Sequence, residues 1–361
     1  MNEKVRLGYA CVNMTLTNRP KKLGGRVTTS RGARKATWQN GSDNPKDWDL
    51  NILGERALLN ANDLMTYLQW NKEHNITLFR LGSELFPWHD HYELHELPQF
   101  EEIAAKLLEC GNYAKANGMR ITTHPGPFHV LGSPTSEELI QKTIIGLERH
   151  SELFDLMGFE PSFENKINIH VAGAYGDHDG TAKRWIKNWK RLSDNCKARL
   201  VLENDDKASM WSTRMLYDYF HKEIGIPITF DYHHHTFHPD ELSEYEALDL
   251  ASSTWPKDVR QCTHYSESRR REKHNRLLQL CESNNIDFEE LGDEEKWPTF
   301  APLKKKWMKI KEQAHSDYII DKINTYDKEL DIVVEAKAKE LAIFKYRDIY
   351  VYNKNKKEVL I

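Results

Sequence analysis

The amino-acid sequence predicts an α/β fold, a single (β/α)8 TIM barrel whose active site lies at the C-terminal ends of the strands. Eight short β-like runs alternate with amphipathic helical patterns, the order expected of parallel strands with helices outside. No GxGxxG fingerprint follows the first run, which weakens the competing reading, an open doubly wound sheet. Most of the runs also carry His, Asp or Glu within one residue of their C-terminal end, the placement in which a barrel gathers distant residues on one face.

In chain order the runs are residues 5–10, 77–81, 120–123, 167–171, 199–203, 227–231, 259–263 and 331–335, each short and rich in apolar or β-branched residues. Helical patterns at 55–74, 99–117, 136–157, 181–195 and 209–222 repeat apolar residues at three- and four-residue spacing, and Ser-Pro-Thr-Ser opens the third. Two irregular stretches interrupt the alternation. Residues 14–54 form a basic, Gly-containing loop excursion after the first strand, and residues 284–312 a charged insertion before the eighth. Neither reads as a boundary, so 1–361 is taken as one domain.

The 361 residues carry 51 Lys+Arg against 55 Asp+Glu, a formal charge of −4, which excludes a uniformly basic nucleic-acid binder. The charge is uneven: residues 4–42 hold nine basic residues and no Asp or Glu, and further clusters lie at Arg269–Arg276 and Lys304–Lys311. Such runs serve either as phosphate contacts or simply as solvated faces. No run approaches 18 consecutive apolar residues, and the N-terminus lacks the apolar segment of a signal peptide, so no membrane partner is expected. The five cysteines form no CxxC pair, which suits a reducing compartment. The expectation is an intracellular, cytoplasmic protein, nuclear in a eukaryote.

Chemistry concentrates at the ends of the runs. His124 directly follows the third, His170 is the penultimate residue of the fourth, Glu203 ends the fifth, His264 directly follows the seventh and Glu335 ends the eighth, while the sixth supplies Asp231 with His234 three residues on. The loop after the second contributes His91. A single such histidine is usually a hydrogen-bonded structural residue; seven of eight strands delivering a metal-competent side chain to one face calls for another explanation. Imidazoles mixed with carboxylates, without a thiolate set, favour Mn²⁺, Zn²⁺ or Fe²⁺ over an all-oxygen cage. More candidate ligands than one ion can use imply two or three divalent ions, an arrangement suited to phosphodiester hydrolysis. A barrel with one ion and several supporting histidines is the other reading.

The strings RLGYACVN, FRLGSELFPWHDH, THPGPFHVLGSP, IHVAGAYGDHDGTAKRW, RLVLENDD, FDYHHH, THYSES, AHSDYI and VEAKAKELA, in this order from about residue 5 to 345, resemble the UV damage endonuclease family. The resemblance implies a TIM barrel holding up to three divalent ions, usually manganese, with Zn²⁺, Mg²⁺ or Co²⁺ as alternatives. It implies cleavage of damaged double-stranded DNA 5′ to pyrimidine dimers, with abasic sites as a further substrate, by a monomer. It places metal ligands at His91, His124, His170, Glu203, Asp231, His234, His264, His315 and Glu335. Among these, Glu203, Asp231, His264 and Glu335 are the residues expected to carry catalysis. It puts lesion contacts at Tyr9, Asn13, Pro127 and Phe128, and the basic stretch adds phosphate contacts at Arg31, Arg34 and Lys35.

Two positions depart from the family pattern. Cys262 stands where a lysine, thought to be carbamylated beside the metals, commonly lies two residues before the strand-seven histidine; a small apolar filler is the expected role, a soft ligand the alternative. HPGPF replaces HPGQY, so Pro127 and Phe128 stand in for an amide and a phenol. Phe128 is then an apolar wedge for the lesion, unless it packs against Phe86 or Trp88 and stabilises the rim. The rival enzyme class is a metal-dependent sugar isomerase of similar barrel form; a damage-binding protein with impaired catalysis is the third reading.

Overall fold

The computed structural model describes residues 4–352; the ends of the expected 1–361 domain, 1–3 and 353–361, lie outside the described residues. The strands are β1 (Val5–Ala10), β2 (Leu78–Leu81), β3 (Arg120–Thr123), β4 (Ile167–His170), β5 (Leu200–Glu203), β6 (Ile228–Thr229), β7 (Cys262–Tyr265) and β8 (Leu330–Val334). They pair in the order β6-β5-β4-β3-β2-β1-β8-β7, every ladder parallel. The remaining seam, β6 to β7, is joined by one parallel bridge between Asp231 and His264, with the His264 amide donating to the Phe230 carbonyl at 2.9 Å. The result is a TIM barrel with helices outside.

Local chemistry explains where the observed bounds differ from the expected ones. The helix Leu50–Glu73 starts ahead of residue 55 because the Asp49 carboxylate accepts the Asn51 amide at 3.1 Å and caps it. Ser136 caps Glu137–Leu156 through the Leu139 amide. The pattern at 181–195 divides into His178–Trp189 and Asp194–Lys197, since Ser193 caps a new turn through the Cys196 amide. β6 pairs over only two residues because Asp231 already turns the chain, its side chain accepting the His234 amide that opens Tyr232–Phe237. β7 begins at Cys262 rather than 259, since a turn, with the Val259 amide donating to the Pro256 carbonyl, occupies the preceding residues.

Toward the N-terminal ends of the strands, fully buried Asp331 accepts from Arg6 and Arg120, and Arg260 lies 3.6 Å away. An apolar cluster of Ala10, Leu78, Val201, Cys262, Val333 and Trp255 packs together. Gly8 is required among them, because a Cβ there would lie 2.2 Å from the Leu78 carbonyl oxygen. The large core of the molecule packs the outer faces of the strands against the helices.

The excursion folds back onto the loop after β2. Asn60 accepts the Arg31 amide at 2.8 Å and donates to the carbonyls of Glu84 and Leu85, while the Trp88 indole donates to the Ala33 carbonyl at 2.9 Å. Its start is held by buried Glu340, whose carboxylate accepts the amides of Met14 and Thr15. The insertion is a satellite on the barrel wall: Leu277, Cys281, Ile286 and Leu291, with Trp297, Phe300 and Trp307, form a small core of their own between the helices Arg269–Asn284 and Ala301–Met308. Among the described residues no helix is long and apolar enough to cross a membrane.

Candidate metal centre

The strand ends converge on Glu203, the last residue of β5, buried to 1% exposure. His124, immediately after β3, donates from Nδ1 to the Pro125 carbonyl and sets Nε2 3.1 Å from Glu203 Oε2. His170, the last residue of β4, lies 3.8 Å from the same oxygen. His264 on β7 places Nδ1 3.1 Å from Glu203 Oε1 and 3.5 Å from Glu335 Oε1, and His234 Nδ1 is 3.6 Å from Glu203 Oε1. Three ligand groups follow: His124, Glu203 and His264; His170, Glu203 and His234; Asp231, His264 and Glu335, each with its ligand atoms within 4.8 Å of one another.

The charges in this cluster are organised by burial and by neighbours. Burial alone would raise the Glu203 carboxyl, but His264 and His170 hold it well below the usual carboxylate range. Burial pushes Asp231 up to about 7 against the pull of His234. Burial lowers His264 to about 3, so that imidazole is neutral at physiological pH, whereas Glu203 and Asp205 outweigh burial and lift His170 to about 10. The donor set fits divalent cations. Asp231 Oδ2, His264 Nδ1 and His315 Nδ1 are buried without a hydrogen-bond partner, and carboxylates mixed with imidazoles suit Mn²⁺, Zn²⁺ or Fe²⁺.

Not every expected residue joins the cluster. His315 reaches its edge, Nδ1 3.7 Å from Glu335 Oε2, because the bridge between Ser268 and His315 brings the chain back from the insertion. His91 stands apart: its ring packs edge-on against Trp38, Trp48 and Trp88, and its polar neighbour is Asp90. As placed, it ties the excursion to the loop after β2 and lies outside the three ligand groups. Cys262 is fully buried among apolar side chains and belongs to no ligand group, the surroundings of a filler.

Two of the expected lesion contacts are buried in this structure. Tyr9 and Asn13 are both 0% exposed; the Asn13 amide donates to the Tyr9 hydroxyl, which donates to Asn71, and Asn13 Oδ1 caps the turn at Leu16. Their polar atoms anchor the excursion and do not face solvent. Phe128 is the opposite case, 83% exposed, with Phe86 buried elsewhere, so it does not pack on the rim. Pro127 beside it is exposed, and His129 Nδ1 donates to the Gly126 carbonyl and closes the loop from behind.

The basic residues also divide. Arg34 and Lys35 are exposed, whereas Arg31 pairs with Asp63 at 2.6 Å and donates to the Thr28 carbonyl. Arg269, Arg270, Arg271 and Lys273 face Asp317, Glu312, Asp321 and Asp317, so that cluster is largely neutralised at home.

Several supporting residues escaped sequence reasoning. Arg80 on β2 pairs with Glu335, Asp205 lies 3.1 Å from His170 Nδ1, and Asn204 clamps Asp231 by accepting its amide and donating to its carbonyl. Asp205 and Asn204 follow Glu203 directly, a proximity the sequence displays; Arg80 was recoverable only from strand pairing. Tyr175 was also missed. It is 48% exposed in the loop after β4 with φ 54°, a left-handed backbone for a non-glycine residue, flanked by Gly173 and Gly176.

The family model described as UV-endonuclease UvdE matches residues 5–359. The chain is 35% identical over 299 residues to a UV-damage endonuclease of Neurospora crassa, covering 73% of this chain and 44% of that protein. It is 33% identical over 266 residues to a UV DNA damage endonuclease of Clostridium perfringens, covering 73% and 58%. It is 32% identical over 349 residues to a UV-damage endonuclease of Schizosaccharomyces pombe, covering 94% and 49%. The chain thus spans about half the length of these curated relatives. Among solved structures, the crystal structure of SacUVDE superposes with a TM-score of 0.71 at 26% identity, covering 97% of this chain and 100% of that one.

Proposed function

The chain belongs to the UV-endonuclease UvdE family, and from that premise we propose that it is a metal-dependent DNA repair endonuclease acting on UV-damaged duplex inside the cell. The observation that carries the reading is the convergence of His124, His170, His234 and His264 on Glu203 at the barrel mouth, with Phe128 projecting from the loop that starts at His124. His170, Glu203 and His234 would hold one ion and Asp231, His264 and Glu335 another, with His124 and His315 completing the shell; manganese is the ion of choice, in two or three copies. When bound, such ions activate water and neutralise charge on the phosphate. Arg80 fixes Glu335, Asp205 fixes His170 and Asn204 fixes Asp231, so the ligand atoms are held before substrate arrives.

Lesion reading falls to Phe128. The Pro125-Gly126-Pro127 turn is stiff, because each proline fixes one backbone dihedral, so little entropy is lost when the loop meets DNA. A pyrimidine dimer stacks poorly and is extruded at lower cost than an intact pair, and an aromatic ring fills the gap. Cleavage 5′ to the dimer, with abasic sites as a secondary substrate, follows this reading. Arg34 and Lys35 supply phosphate contacts on the duplex. The whole 1–361 chain acts as one domain and as a monomer.

The test is nicking of supercoiled plasmid, irradiated and unirradiated, by the purified protein with Mn²⁺ or with EDTA. Selective nicking of irradiated plasmid that EDTA abolishes is the expected result. Equal nicking of both plasmids, or nicking indifferent to EDTA, overturns the proposal.

A further inference from the structure

One polar side chain in the barrel interior has a role that neither the ligand groups nor the family likeness assigns. Lys166, just ahead of β4, is 0% exposed, and among the described residues no carboxylate lies within ion-pair distance of it. A buried lysine without an acid partner is costly, so its neighbours matter. The groups in hydrogen-bond contact with it are neutral, with the charges of Glu203, Arg120 and Arg80 farther off: Nζ donates to Asn168 Oδ1 at 2.8 Å and to Thr229 Oγ1 at 2.8 Å, and lies 3.4 Å from His264 Nε2. Asn168 in turn donates from Nδ2 to Glu203 Oε2. One side chain therefore touches β4, β6 and β7, and reaches β5 through a single intermediary.

The placement is specific. Of the eight side chains in and around the cluster, only Glu203 and His264 are shared between two ligand groups, so an error in either would displace two ions at once. Lys166 contacts one of them directly and the other through Asn168. With Lys166 on the Nε2 side of His264, the nitrogen left facing Glu203 and Glu335 is Nδ1, which has no hydrogen-bond partner. An imidazole ligand is oriented by whatever holds its other nitrogen. Asn168, held at its Oδ1 by the lysine, has its Nδ2 turned to the Glu203 carboxylate, fixing which edge of that carboxylate looks into the cluster.

We propose that Lys166 is a positioning residue for the metal cluster: from inside the barrel it sets His264 directly and Glu203 through Asn168, so that the two shared ligands present one nitrogen and one carboxylate edge to the bound ions. The inference rests on reading the cluster as a divalent-ion site, and it needs no DNA to be tested. Mn²⁺ binding is measured by titration of the free ion, alongside the melting temperature of the metal-free protein, for wild type and Lys166→Met. The expected result is a loss of Mn²⁺ affinity of about ten- to hundredfold, with a metal-free melting temperature equal to or above wild type, because methionine fills the volume without a buried polar head.

A merely structural lysine would do the reverse, lowering the metal-free melting temperature and leaving Mn²⁺ affinity unchanged, and that result overturns the proposal. Should Lys166→Met not fold, Thr229→Val decides. It removes one oxygen anchor of the amine and no ligand; a several-fold loss of Mn²⁺ affinity supports the role and wild-type affinity overturns it. Wild-type protein that binds no Mn²⁺ overturns it too, whereas protein that binds Mn²⁺ yet does not nick irradiated plasmid leaves it standing and rejects the endonuclease reading.

Discussion

Glu203 meets four imidazoles, so its replacement separates chemistry from binding. Glu203→Gln keeps the shape and removes the charge that would hold ions; nicking of irradiated plasmid is expected to fall at least about 10³-fold while affinity for damaged duplex changes little. Near wild-type turnover in a gel assay would sink the assignment. Phe128 offers the complementary test. If its exposed ring stacks in the lesion gap, worth roughly 1 to 3 kcal/mol, Phe128→Ala should cut the ratio of damaged to intact cleavage about ten-fold or more without changing the melting temperature; an unchanged ratio rejects the wedge. At this scale the members of the cluster were legible because most lie at or next to the C-terminal end of a short β-like run, and fold geometry alone gathers such ends. The burial of Tyr9 and Asn13 was not legible for an equally physical reason: a matched motif preserves residue identity, while exposure depends on packing. Lys166 and Arg80 stayed hidden because inward direction follows strand parity and register, which a one-residue shift in an expected bound reverses.

Elements position the loop after β3 as firmly as strands position the cluster. The loop after β3 rests on histidines from three segments: His129 in the loop itself, His150 on the helix Glu137–Leu156 and His89 after β2, with rings 5.1 to 6.0 Å apart. Burial drives His89 down to about 4 and His150 well below its ordinary value, so both are neutral in the fold. The unfolded chain takes up these protons near pH 6.5. Stability from this cluster is therefore fully present above about pH 6.5 and declines as the pH falls from there toward 4. Melting curves at pH 7 and pH 5 should show a drop that shrinks in His150→Leu; an identical drop in the variant would place the acid sensitivity elsewhere. The excursion and the insertion were visible as charged interruptions of the strand and helix rhythm, but their internal structure was not. An indole cage and a satellite core arise from contacts between residues far apart in the chain.

For the whole molecule, the alternation of runs was enough to identify a barrel, because eight parallel strands with outer helices have few ways to close. What it could not show is how unevenly the barrel closes. β1 and β8 share a register of five residue pairs, whereas β6 meets β7 through the single bridge of Asp231 with His264. Those same two residues, with Glu335 on β8, form one of the ligand groups. One of the two thinnest joints of the cylinder, the other being the single β3–β4 pair of Thr123 with Ile167, therefore coincides with a candidate metal seat, so an ion bound there would act as a clasp across that edge. Backbone protection should report it: the His264 amide, bonded only to Phe230 across the seam, is expected to exchange with deuterium faster than the amides of the β1–β8 ladder, and to slow more than they do when Mn²⁺ is added. Equal slowing at both places would mean the ion stabilises the fold globally; selective slowing at the seam would mean that loading the candidate site also fastens the barrel where its strands are least joined.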